Sequence, residues 1–392
     1  MSVSKTMGGI LLIVGTSIGG GMLALPLATS SVGMFNSIIF LICCWLVMTA
    51  GALLLLEVNV RLPVESNIIS MAKATLGLPG QIIAWFCYLA LLYTLLSAYI
   101  SGGSDVFGGL LTQAHIHLPS RITTIVFTAF FSLIVYAGIR TVDYVNRGLM
   151  FGKLGVFFLL ILMISPHVEV SKLSGGAWQA ITGSLMILIT SFGFASIVPS
   201  LRTYFKDDIK TLRKVIILGS FIPLICYILW NSVIMGVIDR PDLNNIAQSE
   251  HAISGLTQAL SVAIHNAKVT AFFELFTSIC MLTAFLAVSL GLFDFLADGL
   301  HLKKRGIQGG GTLIITFLPP LLIVLVYPDI YLYALRYAGV FCVILLLALP
   351  TAMAYQSRKL RLEPSTQVFI PGGTPTLVGL GIVAIFLLTI AL

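Results

Sequence analysis

The chain has 392 residues, of which 58% are hydrophobic and 9% charged, with a formal net charge of +7. A soluble globular domain carries about 25% charged residues, so this composition excludes one and predicts an all-α integral membrane protein. No segment between the apolar stretches is large enough to bury a core of its own, and the positive balance gives no support for a nucleic-acid partner.

At roughly 20 residues per crossing, the hydropathy pattern predicts eleven transmembrane helices, over 7–29, 34–57, 81–110, 120–138, 147–165, 178–200, 213–237, 268–299, 310–326, 330–353 and 375–392. The first is interrupted by Gly15-Thr16-Ser17-Ile18-Gly19-Gly20-Gly21 and Pro26. A cleavable signal peptide over 1–28 is the alternative there. Against it stand a charged n-region of Lys5 alone and a glycine cluster foreign to a signal sequence. The sixth span is interrupted by Thr190-Ser191-Phe192-Gly193-Phe194-Ala195 and Pro199. Unwound backbone in lipid costs several kcal/mol for each unsatisfied group, so it survives only where it lines a cavity. Paired interruptions in corresponding halves point to a transporter's substrate site.

The two breaks stand five spans apart, so they cross the membrane in opposite directions. The third and eighth spans, also five apart, are both unusually long. This layout predicts a 5+5 inverted repeat with discontinuous helices 1 and 6. The first repeat covers 1–165, the second covers 178–353 with an extracellular loop at 238–267, and an additional span follows at 375–392. Most of the 22 Lys and Arg residues fall at the N-terminus or after even-numbered spans, among them Lys5, Arg140, Arg147, Lys214, Lys304, Arg358 and Arg361. That bias predicts a cytoplasmic N-terminus and a periplasmic C-terminus. In the long outer loop, Ile253, Leu256, Leu260 and Ile264 form an apolar stripe at helical spacing. Such a helix is either a lid over the outer vestibule or an interfacial helix resting on the bilayer.

The first break is expected to present backbone N–H groups at the start of an outer half-helix, where the positive dipole end suits a carboxylate. Gly19, Gly20 and Gly21 lack a Cβ and allow a ligand close to the backbone; a small-residue packing seam is the competing reading. At the second break, Phe192 and Phe194 flank Gly193 and could pack on a ring-bearing substrate or gate it.

Ionisable residues inside spans are functional candidates by default. Lys153 lies about two turns into the fifth span. An ammonium at a span's centre costs ~2.5–3.5 kcal/mol on insertion scales, so a buried Lys153 is a candidate proton carrier. The alternative is snorkelling to the cytoplasmic surface, since it stands six residues past Arg147, roughly 9 Å along a helix axis. Asp105, Glu274 and Arg336 lie near the outer surface, where Arg336 paired with either carboxylate would form a gate or a static ion pair. Asp294 and Asp298 precede Lys303-Lys304-Arg305 and read as an interfacial charge cluster. All six cysteines fall inside spans without CxxC spacing, and no histidine lies in a span, so no metal site, disulfide or cofactor is predicted. HExxH, GxSxG and P-loop motifs do not occur, so no enzyme is predicted.

The stretch G-T-S-I-G-G-G-M-L-A-L-P-L-A at 15–28 closely resembles the opening helix of the bacterial hydroxy/aromatic amino acid permeases. So do L-L-L-L-E-V at 53–58, A-Y-I-S-G at 98–102, T-S-F-G-F at 190–194, G-L-F-D-F-L-A-D at 291–298, I-T-F-L-P-P-L at 315–321 and Q-S-R-K at 356–359. The resemblance runs from end to end and looks most like the tyrosine-specific branch. It implies a leucine-transporter-type (LeuT/APC-type) fold and uptake of an aromatic L-amino acid, tyrosine first, by proton symport across the bacterial inner membrane. The residues it brings to the substrate are Thr16, Ser17, Gly19, Gly20, Gly21, Tyr99, Ser191, Phe192, Gly193 and Phe194. In the family a His follows Phe-Gly-Phe; here that position is Ala195, which removes a polar, titratable contact. In this fold the inner part of the fifth span lies where sodium-coupled relatives hold an ion, which implies that Lys153 supplies the coupling cation. The alternatives are a sodium-coupled or uncoupled carrier of another neutral amino acid, and a substrate-gated channel or sensor.

Overall fold

A computed structural model of the chain describes residues 3–137, 139–206, 208–360 and 369–391, with the backbone alone for residues 3, 4, 139–148, 150 and 151. The side chains of Arg140 and Arg147, and all of Arg361, lie outside the described residues. Among the described residues every regular element is helical. The first expected span is a bent pair, α1 (Val3–Ser17) and α2 (Gly20–Thr29), inclined by 52° at the break. There follow α3 (Met34–Val60), α4 (Ile68–Gln113), α5 (Ser120–Tyr136), α6 (Ile139–Ile164) and the single turn α7 (Val170–Leu173). The second broken span is α8 (Ile181–Ser191) and α9 (Val198–Phe205), joined by a 3-10 turn over Gly193–Ile197. Then come α10 (Ile209–Val237), the short helices α11 (Arg240–Ala247) and α12 (Ala252–Ile264), and the long α13 (Ala267–Gly299). The chain ends with α14 (Gly306–Val326), α15 (Tyr331–Val343), α16 (Leu349–Lys359) and α17 (Gly373–Ala391).

Among the described residues eight helical stretches are long and apolar enough to cross a membrane, and the bent pair α1–α2 makes a ninth. The fourth and fifth expected spans fall on α5 and α6, whose described apolar stretches, Ser120–Tyr136 and Gly152–His167, are shorter than that. The stripe of Ile253, Leu256, Leu260 and Ile264 is buried and packs α12 against α13, α4 and α10. Protein rather than lipid therefore covers the apolar face of that helix.

Several helices deviate for identifiable reasons. The third span continues beyond its expected start as far as Ile68, bending at Gly77 (φ 72°), two residues before Pro79. Between α15 and α16 the chain widens into a π-helical turn, Ile344–Ala348. Pro350 follows after Leu349; it has no N–H and its ring crowds the carbonyl four residues back. That carbonyl, Leu346 O, points at Gly51, where an added Cβ would sit only 2.1 Å from it.

Contacts between loops divide the bundle into two faces. On the N-terminal face, Lys5 lies over the Tyr204 ring and the Tyr136 hydroxyl donates to the Gly306 carbonyl. Lys304 there joins Asp294 at 2.8 Å and Asp298 at 3.2 Å, the expected charge cluster. Glu57 is wholly buried at the same end. It accepts from Arg358 Nε at 2.7 Å and from Arg61 Nη2 at 3.1 Å, joining the 53–58 and 356–359 motifs. On the opposite face the Ala177 N–H donates to the Ser31 carbonyl, and the backbone there runs through Gly33 and Gly176, both at positive φ.

Candidate functional site

Both broken helices stop at the middle of the bundle. α1 ends at Ser17 and α8 at Ser191, so two helix C-termini, each with unsatisfied carbonyls and a partial negative charge, converge there. Three side chains hold the backbone at and around these ends. The Tyr227 hydroxyl, from the middle of α10, lies 2.7 Å from the carbonyl oxygens of both Ser17 and Ser191. The Lys153 ammonium, from α6, donates to the Ile18 carbonyl and lies 3.4 Å from Thr283 Oγ1 on α13. Lys153 is 2% exposed; its side chain runs to the first break and not out to the N-terminal face. The Tyr331 hydroxyl donates to the Gly20 carbonyl at 2.6 Å.

A cavity of about 370 Å³ lies against both breaks, a size usual for small-molecule sites of ~300–1,000 Å³. Of the residues expected from the sequence, it brings together Thr16, Ser17, Gly19, Gly21, Tyr99, Lys153, Ser191 and Gly193. Ser17 Oγ is buried on this lining, at 6% residue exposure, with no hydrogen-bond partner among the described residues. The remaining lining is mostly apolar: Leu91, Leu92 and Leu95 of α4, Ala284, Ala287 and Val288 of α13, and Cys342 of α15. A second cavity of about 460 Å³ shares Tyr88, Ser196 and Gly291 with the first and extends to Asp298 and Gly299 on the N-terminal face. Towards the opposite face the way is filled. A Cβ on Gly20 would stand 2.6 Å from the Tyr99 ring and 3.3 Å from Met281 Sδ, and one on Gly102 would meet Met281 and Tyr331.

Other expected residues sit elsewhere. Gly20 faces the Tyr99 ring and is not on the lining, so its missing Cβ makes room for a tyrosine. Phe192 and Phe194 are fully buried off the cavity; Phe192 packs edge-on to Tyr227 at 5.1 Å. Ala195 is buried in the 3-10 turn, also off the lining. The aromatic surface of the cavity comes from Tyr88 and Tyr99.

The outer ionisable residues are not arranged as expected. Among the described residues no ion pair joins Arg336 to Asp105 or Glu274. Glu274 accepts from Gln113 Nε2 at 2.6 Å. Asp105 caps α12 and faces His251 Nδ1 at 3.1 Å. The carboxylate is taken up by a helix N-terminus, which satisfies it with backbone donors that sequence spacing does not reveal.

Residues absent from the sequence-based set include Tyr227, Tyr331, Thr283, Tyr88 and Ser196. Tyr227 and Thr283 carried one usable signal, a hydroxyl in the middle of an apolar span, where each buried polar group needs a partner. Nothing local distinguished Tyr88.

The model of the tryptophan/tyrosine permease family matches residues 2–391. The chain is 33% identical over 365 residues to tyrosine-specific transport system 2 of Haemophilus influenzae, covering 91% of this chain and 89% of that one. It is 30% identical to the tryptophan-specific transport protein of Shigella flexneri, over 94% and 90% of the two chains. It is also 31% identical to glutamine transporter 2 of Aliivibrio fischeri, over 92% and 91%. With membrane-length helices throughout and a whole-length match, the chain belongs to the tryptophan/tyrosine permease family, as a multi-pass inner-membrane permease and not an enzyme.

Proposed function

We propose that this permease imports aromatic amino acids, tyrosine first, by proton symport and alternating access. The observation that carries the reading is the central cavity, which adjoins two opposed helix breaks and the buried Lys153 ammonium at once. The substrate carboxylate is taken by the N–H groups at the start of α2, with Ser17 Oγ beside them, a hydroxyl unpartnered among the described residues. First-turn N–H groups carry the positive dipole end, and of those in α2 the Met22 N–H already donates to the Gly19 carbonyl at 3.1 Å, which leaves Gly20 and Gly21 for the carboxylate. The ring lies against Tyr88 and Tyr99. Lys153 supplies the coupling cation: protonated, it holds the Ile18 carbonyl and Thr283 by charge-assisted bonds; neutral, it keeps only weaker N–H donors for them and loosens its hold on the break.

In the same reading there are eleven spans, with α5 and α6 as the fourth and fifth. Residues 1–165 and 178–353 form a leucine-transporter-type inverted repeat, and 375–392 adds the last span. The N-terminal face is cytoplasmic and the face carrying α11 and α12 is outer. The cavity then opens to the cytoplasm, as in an inward-facing state.

The test is uptake into proteoliposomes under an imposed inward proton gradient, with all twenty amino acids as competitors. Tyrosine accumulation driven by the gradient, competed by tryptophan and phenylalanine, is expected. The glutamine transporter relative gives a second reading some footing, a carrier of another neutral amino acid. Competition by glutamine with none by the aromatic amino acids would select it, and sodium-driven uptake would replace the proton.

A further inference from the structure

The outer connection between α10 and α13 is fastened at two points. On α11, Asn244 Oδ1 accepts from Ser30 Oγ at 2.6 Å and from Ser31 Oγ at 2.8 Å, at the end of α2. On α12 the fastening comes from α4. The Asp105 carboxylate accepts from Ile253 N at 2.9 Å, Ser254 N at 3.0 Å and Ser254 Oγ at 2.5 Å, and Oδ1 faces His251 Nδ1 at 3.1 Å. The Asp105 side chain is 5% exposed, while that of His251 is 60% exposed. A carboxylate on the N–H groups of a helix's first turn is held both by hydrogen bonds and by the helix dipole. Usually the capping residue belongs to the helix itself; here it lies 148 residues earlier, on a spanning helix. The loop therefore straps the broken first span to α4 across the outer end of the pathway.

We propose that Asp105 and His251 form a proton-responsive clasp that holds α12 closed over the outer end, making Asp105 a positioning residue for the transport cycle. The proposal rests on the transport reading above for the direction of the faces. A cavity of about 290 Å³ reaches both side chains. Around it, His251 faces Asp105 from α4 and Glu250 from its own turn. α5 presents the hydroxyls of Ser120, Thr123 and Thr124, and the turn before α15 presents Pro328. Among the described residues no other charged side chain lines that space, so His251 is the group there that can supply a positive charge beside the Asp105 and Glu250 carboxylates.

The hydrogen bond to Asp105 raises His251 above the ordinary imidazole value, against some desolvation, with the Asp105 and Glu250 charges adding to the rise. A raised value means that the clasped state favours the imidazolium. Its contribution is complete below the ordinary value of about 6.5 and is lost as pH rises through the raised one. An acidic outer side thus favours closure of the lid.

Hydrogen–deuterium exchange of the full chain in nanodiscs tests this, following the amides of 250–264 at pH 6 and pH 8 after correction for intrinsic rates. Protection at pH 6 should exceed that at pH 8 by several-fold. In His251→Gln the difference should vanish. In Asp105→Asn protection should fall at both pH values, and Asp105→Glu should restore part of it. Equal protection at the two pH values in the unaltered chain would overturn the proposal, as would an unchanged pH dependence in His251→Gln. Because no transport is measured, this outcome is separate from the choice of substrate, and a poorly folding Asp105→Asn leaves the exposed His251 variant decisive.

Discussion

The Tyr227 hydroxyl lies 2.7 Å from the Ser17 carbonyl oxygen, at the last residue of the helix that precedes the first break. It is equally close to the Ser191 carbonyl at the second. A phenol has one proton to donate, so a single hydroxyl is shared between two helix ends whose partial charges repel. Cation and hydroxyl thus divide the work at the centre: Lys153 holds Ile18, and Tyr227 holds the residue before it.

Tyr227→Phe removes that proton while keeping the ring that packs on Phe192. Leaving a buried acceptor unsatisfied costs about 1–3 kcal/mol. The expected result is a lower thermal midpoint and substrate binding weakened by roughly 5- to 100-fold, read by scintillation proximity on purified protein. Binding and stability both unchanged would show that the two breaks hold their geometry without this bridge.

The value of this contact also marks where sequence reading stops. The breaks were legible because glycine and proline in an apolar span carry a backbone consequence at the position itself. The long third and eighth spans and the α12 stripe were legible for the same reason, as periodicity is local. Tyr227 and Tyr331 act through tertiary contacts to residues 210 and 311 positions away, for which no local pattern exists. Phe192 and Phe194 mislead in the opposite sense. They stand on the break, yet a 3-10 turn directs both rings into the core, and the turn type was not readable from Phe-Gly-Phe.

The glycines of the first break differ from one another in a testable way. A Cβ at Gly19 would meet Ala284 Cβ at 3.5 Å, an ordinary contact, whereas one at Gly20 would overlap the Tyr99 ring at 2.6 Å. Overpacking of this kind costs about 1–3 kcal/mol. Gly20→Ala is therefore expected to lower stability and weaken binding, and Gly20→Ala with Tyr99→Leu to recover the stability. Gly19→Ala should fold normally and affect binding alone. A Gly20→Ala protein as stable as its parent would remove the packing role assigned to this position.

Selectivity for rings is assigned to Tyr88 and Tyr99, so substitutions on and off the cavity should separate. Favourable ring–ring geometry contributes ~0.5–1.5 kcal/mol beyond burial. Tyr88→Leu is expected to narrow the preference for tyrosine over leucine by about two- to tenfold in a competition assay. Phe192→Leu should lower the thermal midpoint and leave the preference where it was. The reverse pattern would return the ring contacts to the second break.

Substitution of Lys153 tests coupled against uncoupled carriage. Its ammonium donates to Ile18 in the first break and lies near Thr283 in α13, so its charge links the break to that long helix. Lys153→Gln preserves a donor and much of the volume but removes the titrating charge. Counterflow exchange of tyrosine, which needs no driving ion, is expected to persist in proteoliposomes at a reduced rate. Accumulation under an imposed pH gradient should disappear, because no group at the site then gains a proton on one side and loses it on the other. Proton-driven accumulation by Lys153→Gln in proportion to the gradient would place the coupling elsewhere. Loss of exchange as well as accumulation, with normal folding, would make Lys153 a structural anchor of the break instead of its proton carrier.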